Sequence, residues 1–198
     1  MSATTTVLLK DHTEVLIRPM ASEDVDQSLE FFRALPEEVR ACFPKDVTTV
    51  EVAQERAREM EEGRIKRLVA LVDDKIVGIG ALDLSQFGWE RHVGELRLIV
   101  APAYQGKGLG ILMGRALYDL AAVTGIEEVV IRVMASQTST INVLRKLGFR
   151  KEAVLRDYVR DAYGRKQDLV LMRGDIEDLW QEFEQYIYEL DVPSLEMD

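Results

Sequence analysis

The segment Glu95-Leu-Arg-Leu-Ile-Val-Ala-Pro-Ala-Tyr-Gln-Gly-Lys-Gly-Leu-Gly110 constrains this chain more than any other. The apolar run His92–Val100 has strand character and is closed by Ala101-Pro102. From Gly108 to Thr124, residues Leu109, Leu112, Met113, Ala116, Leu117, Leu120 and Ala121 recur at helical spacing, and Gly125 ends the run. A strand must therefore pass into a helix through Gly106, Gly108 and Gly110. Such a turn frees backbone N–H groups at a helix N-terminus, where the dipole also favours negative charge. Glycines let a bulky polyanion approach the backbone, and Lys107 adds a positive charge. The chemistry expected is phosphate or pyrophosphate binding; a glycine turn without a ligand is the plainer alternative. Two phosphate loops fail here. The G-x-x-x-x-G-K-[ST] loop needs Ser or Thr where Gly108 stands, and G-x-G-x-x-G ends on Ile111 or Met113.

The rest of the chain supplies strands and helices around that turn. Thr13–Arg18 alternates around Val15 and Ile17 and predicts a strand stopped by Pro19. Ser22-Glu-Asp predicts a helix start, followed by a stripe of Val25, Leu29, Phe32 and Leu35 ending at Pro36. Thr49–Glu62 predicts a second helix, with Val52, Ala53, Ala57 and Met60 inward. Arg67–Val72 and Ile76–Leu84 form a hairpin around Asp73-Asp74-Lys75. Ile126–Met134 is a strand, Gln137–Leu147 a short helix stopped by Gly148, and Phe149–Val154 and Asp168–Met172 further strands. Asp175–Leu190 predicts a final amphipathic helix. The order implies α/β or α+β architecture with a mixed sheet, not a strict βαβ alternation.

A chain of 198 residues fits one domain. Its 47% hydrophobic and 30% charged residues are ordinary for a globular fold. No stretch approaches the ~18 uncharged apolar residues of a membrane span, and the N-terminus Met1–Lys10 has no basic region followed by a long apolar run, so no signal peptide is expected. One cysteine, Cys42, and two histidines, His12 and His92, argue against an internal disulfide and against a Cys/His metal site. A cytoplasmic protein is the expectation. The net charge of −10 is uneven: residues 175–198 carry nine acids and no Lys or Arg. Residues 145–166 reverse the sign, with Arg145, Lys146, Arg150, Lys151, Arg156, Arg160, Arg165 and Lys166 against Glu152, Asp157 and Asp161. An acidic chain argues against general nucleic-acid binding.

At this point the sequence resembles a family. Gln105-x-x-Gly108-x-Gly110 is similar to the Q/R-x-x-G-x-G/A loop of the GNAT superfamily of acetyl-CoA-dependent N-acetyltransferases. Leu147-Gly148-Phe149 resembles that family's helix ending in x-G-F, and Asp168-Leu-Val-Leu-Met172 its closing strand. Thr13-Glu-Val-Leu-Ile-Arg-Pro and Phe31-Phe-Arg-Ala-Leu-Pro resemble the bacterial protein-lysine acetyltransferase branch. The similarity covers about residues 10–173 of a single acetyltransferase domain, 1–198, with the acidic helix 175–190 behind it. It implies a mixed, mostly antiparallel sheet flanked by helices, with acetyl-CoA as cosubstrate and no metal.

The resemblance also implies roles. Backbone N–H groups of Gln105, Gly106, Lys107, Gly108, Leu109 and Gly110 would bind the coenzyme pyrophosphate. Leu98, Ile99 and Val100 would pair with the pantetheine arm, with an N–H near Ile99 polarising the thioester carbonyl. Gln137 stands where many members have an Asn that contacts pantetheine. Glu95 is the candidate general base, facing the same side as Arg97; Asp83 and Glu90 are rivals. Leu144 occupies the position of a common Tyr acid, for which Tyr104, Tyr118, Tyr158 and Tyr163 are substitutes. The expected acceptor is a primary amine, either a protein lysine or a small amine or amino acid. A catalytically silent acyl-CoA-binding module is the reading from another class. A homo-oligomer is left open.

Overall fold

The computed structural model describes residues 4–85, 88–161, 163–176 and 178. In chain order these are β1 (Thr5–Leu8), β2 (Glu14–Pro19), α1 (Asp24–Ala34), α2 (Glu37–Arg40), α3 (Val50–Glu61), β3 (Ile65–Val72) and β4 (Lys75–Leu84). They continue with β5 (Val93–Val100), α4 (Leu109–Val123), β6 (Glu128–Met134), α5 (Thr138–Lys146), β7 (Arg150–Arg160) and β8 (Lys166–Asp175). The strands form one sheet in the order β1-β2-β3-β4-β5-β6-β8-β7. Every neighbouring pair is antiparallel except β5 and β6. This is the mixed, mostly antiparallel sheet that the resemblance implies.

Local chemistry explains the elements. The β3–β4 turn holds Asp73 at φ 47° and Asp74 at φ 60°, the left-handed pair that a tight hairpin needs and that Asp tolerates. α1 begins at Asp24. Its buried carboxylate accepts both terminal nitrogens of Arg18 (2.6 and 2.8 Å) and the Ala21 N–H (2.7 Å). Thr49 caps α3, its hydroxyl oxygen accepting the Val52 N–H.

The core lies on both faces of the sheet. On one face α4 packs Leu109, Leu112, Met113, Leu117 and Leu120 against Leu68, Leu82, Leu96 and Val100. Gly78 and Gly80 of β4 permit this close approach: a Cβ there would stand 2.7 Å from Met113 Sδ and 2.8 Å from Leu117 Cδ1. On the other face α1 packs Phe31 and Phe32 against Val69, Leu71, Ile76 and Ile79.

Four expectations differ from the structure. β1 and α2 were not legible as elements. α3 buries only Ala53 among the four residues expected inward. Charged groups hold it instead: the Arg56 guanidinium lies 4.0 Å from the Phe32 ring centroid, and Arg67 donates to the Arg56 carbonyl and the Glu59 carboxylate. β7 runs to Arg160, well past Val154. Asp175, expected to open a helix, ends β8 opposite Glu128. Beyond it, Ile176 is buried and Asp178 pairs with Arg150 at 3.0 Å. The remainder of the expected helix lies outside the described residues.

Candidate active site

Four antiparallel strands precede β5, and β6 then runs parallel beside it only briefly. The β5–β6 ladder consists of Val93–Glu128, Gly94–Val129 and Glu95–Val130. β5 itself continues to Val100, paired all the way with β4, while β6 continues to Met134, paired with β8. The two central strands therefore part after Glu95, and among the described residues the backbone of Leu96–Val100 on that side has no strand partner. Ala101 donates its N–H to the Val77 carbonyl, on the β4 side, at 2.8 Å. Because an extended chain alternates, Ile99 turns its backbone groups to β4 as well, and Leu98 and Val100 turn theirs to the gap. The Val100 carbonyl accepts from Gln105 Nε2 at 2.9 Å, which ties the coming loop to the strand end. Among the described residues, Leu98 N–H, Leu98 C=O and Val100 N–H are left as a short unpaired edge inside the sheet. An extended ligand arm can pair with it as a further strand.

The edge leads into the glycine turn. Gly106 (φ 74°) and Gly108 (φ 96°) adopt left-handed conformations, and Gly108 is the N-cap of α4. Among the described residues nothing lies within 4 Å of where a Cβ would stand on Gly106 or Gly110, so the loop surface is open. Leu109 is fully buried and anchors the first turn of α4 in the core. The loop thus presents N–H groups at a helix start whose side-chain space is empty, a fit for phosphate oxygens.

Glu95 sits where the strands part, on the face opposite α4. Its carboxylate is 20% exposed and meets Arg97 Nε at 3.1 Å and Arg132 Nε at 3.3 Å. Arg97 also reaches Asp83 at 3.3 Å. Asp83 is the register partner of Glu95 on β4. Burial pushes the Asp83 carboxyl above its ordinary range, against the pull of Arg97. The site therefore holds two carboxylates bridged by one arginine, with a second arginine crossing from β6.

The chain matches the model of the Acetyltransferase (GNAT) domain over residues 14–150. It belongs to the GNAT acetyltransferase family. The acetyltransferase is 29% identical over 177 residues to an N-alpha-acetyltransferase of Sulfurisphaera tokodaii, covering 84% of this chain and 96% of that protein. The RimJ protein of Mycobacterium smegmatis, solved with CoA-disulfide, superposes with a TM-score of 0.77 at 18% identity, over 94% of this chain and 93% of that one. A putative acetyltransferase of Salmonella typhimurium, yncA, solved with acetyl-CoA, gives 0.71 at 25% identity, over 82% and 94%. The chain is an acetyl-CoA-dependent N-acetyltransferase, and the unpaired β5 edge and open glycine loop are features that such a coenzyme fits.

The remaining sequence candidates are scattered over the fold. Gln137 is the N-cap of α5, and its carbonyl oxygen accepts the Met134 N–H at 3.2 Å, closing the end of β6. Leu144, in the position of the usual tyrosine, is buried in the α4-side core. Tyr118 is buried in that core too, whereas Tyr158 and Tyr163 are exposed. Tyr104 precedes the loop, under the Lys107 ammonium at 5.2 Å. Glu90 lies in a short 3₁₀ turn between β4 and β5 and accepts from the Ser85 hydroxyl at 3.3 Å.

Three neighbours of the site escaped the sequence reading. Arg132 reaches Glu95 only through the parallel register of β5 and β6, which no local pattern reveals. Asp11 pairs with Lys107 at 2.8 Å, and Lys10 donates its backbone N–H to the Lys107 carbonyl at 3.1 Å. Both belong to the β1–β2 turn, about a hundred residues away in the chain. A Lys-Asp pair in a surface turn carries no signal of such a contact. Among the described residues no helix is long and apolar enough to cross a membrane.

Proposed function

We propose that this acetyltransferase moves the acetyl group of acetyl-CoA to a primary amine carried by a polypeptide, with Glu95 as the proton acceptor. The parting of β5 and β6 beside Glu95 supports this reading most strongly. The thioester can lie along the Leu98–Val100 edge from the α4 side, while an amine approaches Glu95 from the other. The amine nitrogen attacks the acetyl carbonyl carbon, the C–S bond breaks, and the amine proton leaves for the Glu95 carboxylate, directly or through water. A gap-facing N–H, that of Leu98 or Val100, stabilises the developing oxygen charge. The pyrophosphate rests on the loop Gln105–Gly110, and Gln137 borders the pantetheine arm. Thiolate is a fair leaving group at a reference pKa of about 8.5, so buried Leu144 in place of an acid does not block turnover.

Within that class the N-terminal α-amine of a protein is the favoured acceptor. The relative named as an N-alpha-acetyltransferase supports it, and so does the chemistry. An α-amine, at about 7.7–8.0, is partly free base at neutral pH, whereas a lysine at about 10.4 asks far more of one carboxylate. A protein lysine, suggested by the N-terminal sequence resemblance, is the second reading. Two peptides decide between them: one with a free α-amine and blocked lysine, one with an acetylated terminus and free lysine. Acetyl-CoA-dependent mass gain and thiol release on the first alone is the expected result. Gain on the lysine peptide alone transfers the function to lysine. Release with small amines and neither peptide removes the polypeptide acceptor. CoA binding without release from any amine leaves a silent binding module.

A further inference from the structure

The β1–β2 turn lies against the loop Gln105–Gly110, and its contacts set Lys10 and Lys107 apart. Lys107, inside the loop, is engaged. Its ammonium pairs with Asp11 at 2.8 Å and sits over the Tyr104 ring. Asp11 is committed in turn, also accepting the Thr13 N–H at 3.2 Å, and hydrogen bonding to Lys107 above all holds its carboxyl down at about 2. Lys10 is different. Its backbone N–H binds the Lys107 carbonyl, and its Cγ lies 4.0 Å from the position of a Cβ on Gly108. The Lys10 stem therefore runs over the N-cap glycine of α4, and among the described residues its ammonium has no carboxylate partner.

That placement calls for an anion. A cation at the positive end of a helix is unfavourable, and a helix N-terminus calls for an anion. Both the free ammonium and the exposed N–H groups are satisfied by one phosphate between them. Resting on the coenzyme reading above, we infer that Lys10 supplies the ammonium that meets the coenzyme pyrophosphate, and that the Asp11–Lys107 pair is the strut that holds Lys10 over the loop. The N-terminal hairpin is thus part of the coenzyme site, although its residues precede the matched family region.

Calorimetric titration of the full chain with CoA tests this. Lys10→Met is expected to weaken CoA about tenfold, the order of one charge-assisted hydrogen bond, with Lys10→Arg restoring most of the affinity. Dephospho-CoA, which keeps the pyrophosphate and lacks the 3′-phosphate, is expected to show the same loss. KM for acetyl-pantetheine, which has no pyrophosphate, is expected to stay unchanged. Asp11→Asn is expected to cost affinity alone but nothing further beside Lys10→Met. Unchanged CoA affinity in Lys10→Met overturns the proposal. So does a loss confined to CoA and absent with dephospho-CoA, an equal loss with acetyl-pantetheine, or additive effects of the Asp11 and Lys10 variants. A wild-type chain that does not bind CoA at all would instead sink the coenzyme reading itself.

Discussion

Replacing Gly80 with alanine places a methyl carbon 2.8 Å from Leu117 Cδ1 and 3.1 Å from its Cγ and Cδ2. Leu117 is 1% exposed, so α4 must lift from β4 or the leucine must leave its rotamer. Overpacking of this kind costs about 1–3 kcal/mol. Leu117→Ala alone opens a cavity and costs about 2–5 kcal/mol. In the double variant the new methyl enters the space that Leu117 vacates, so the two costs fall short of their sum by at least about 1 kcal/mol. Equilibrium unfolding in urea, with slopes checked for constancy, gives the four stabilities. Costs that add to within about 0.5 kcal/mol would refute direct packing of Leu117 over Gly80 as one of the contacts that set the α4–β4 spacing. The spacing matters for function because α4 carries the coenzyme loop at its N-terminus.

The other predictions follow from single groups. Gly108→Ala, at φ 96°, is expected to cost about 1–2 kcal/mol of stability through backbone strain alone. It is also expected to cut CoA affinity by more than tenfold in calorimetry, because its Cβ enters the phosphate approach. Full affinity in the folded variant would remove Gly108 from the site. Burial raises the Asp83 carboxyl, so the folded chain holds this proton at pH values where the unfolded chain has released it. Stability from this group is full below the unfolded value of about 3.8 and falls as pH rises through the raised folded value. Asp83→Asn should flatten that part of the pH–stability curve, and an unchanged curve would contradict the burial argument. Asp11 runs the other way: its carboxyl is lowered to about 2. Its contribution is present above about 3.8 and is lost as pH falls towards 2, so Asp11→Asn should reduce the acid-side slope of the same curve.

The sequence revealed what local chemistry controls. The Asp73-Asp74 hairpin follows from two residues that accept positive φ. The α4 stripe and the glycine turn before it follow from helical spacing and side-chain absence, and the Gln105–Gly110 loop stands where it was read. Elements without a local signature stayed hidden. β1 is a four-residue edge strand in a threonine-rich stretch, and most of β7 is a charged edge with little apolar alternation. The α3 stripe misled because Arg56, Glu59 and Arg67 do the anchoring that Val52, Ala57 and Met60 were expected to do. The site was half legible for the same reason. Glu95 could be placed beside Arg97 from alternation, but Arg132, Asp11 and Lys10 arrive through sheet order and turn docking. The gap itself is a property of two strands that pair for only three residues, and neither strand's composition encodes where they part.

The central claim is that β5 presents the thioester to an amine whose proton Glu95 accepts. The most direct measurement is steady-state thiol release by Glu95→Gln at neutral pH with the preferred acceptor peptide, alongside calorimetric CoA affinity. Turnover is expected to fall by about 10²–10⁴ with CoA affinity nearly unchanged, since Glu95 lies outside the loop Gln105–Gly110. Near-normal turnover in that variant would contradict it and assign the proton to another group.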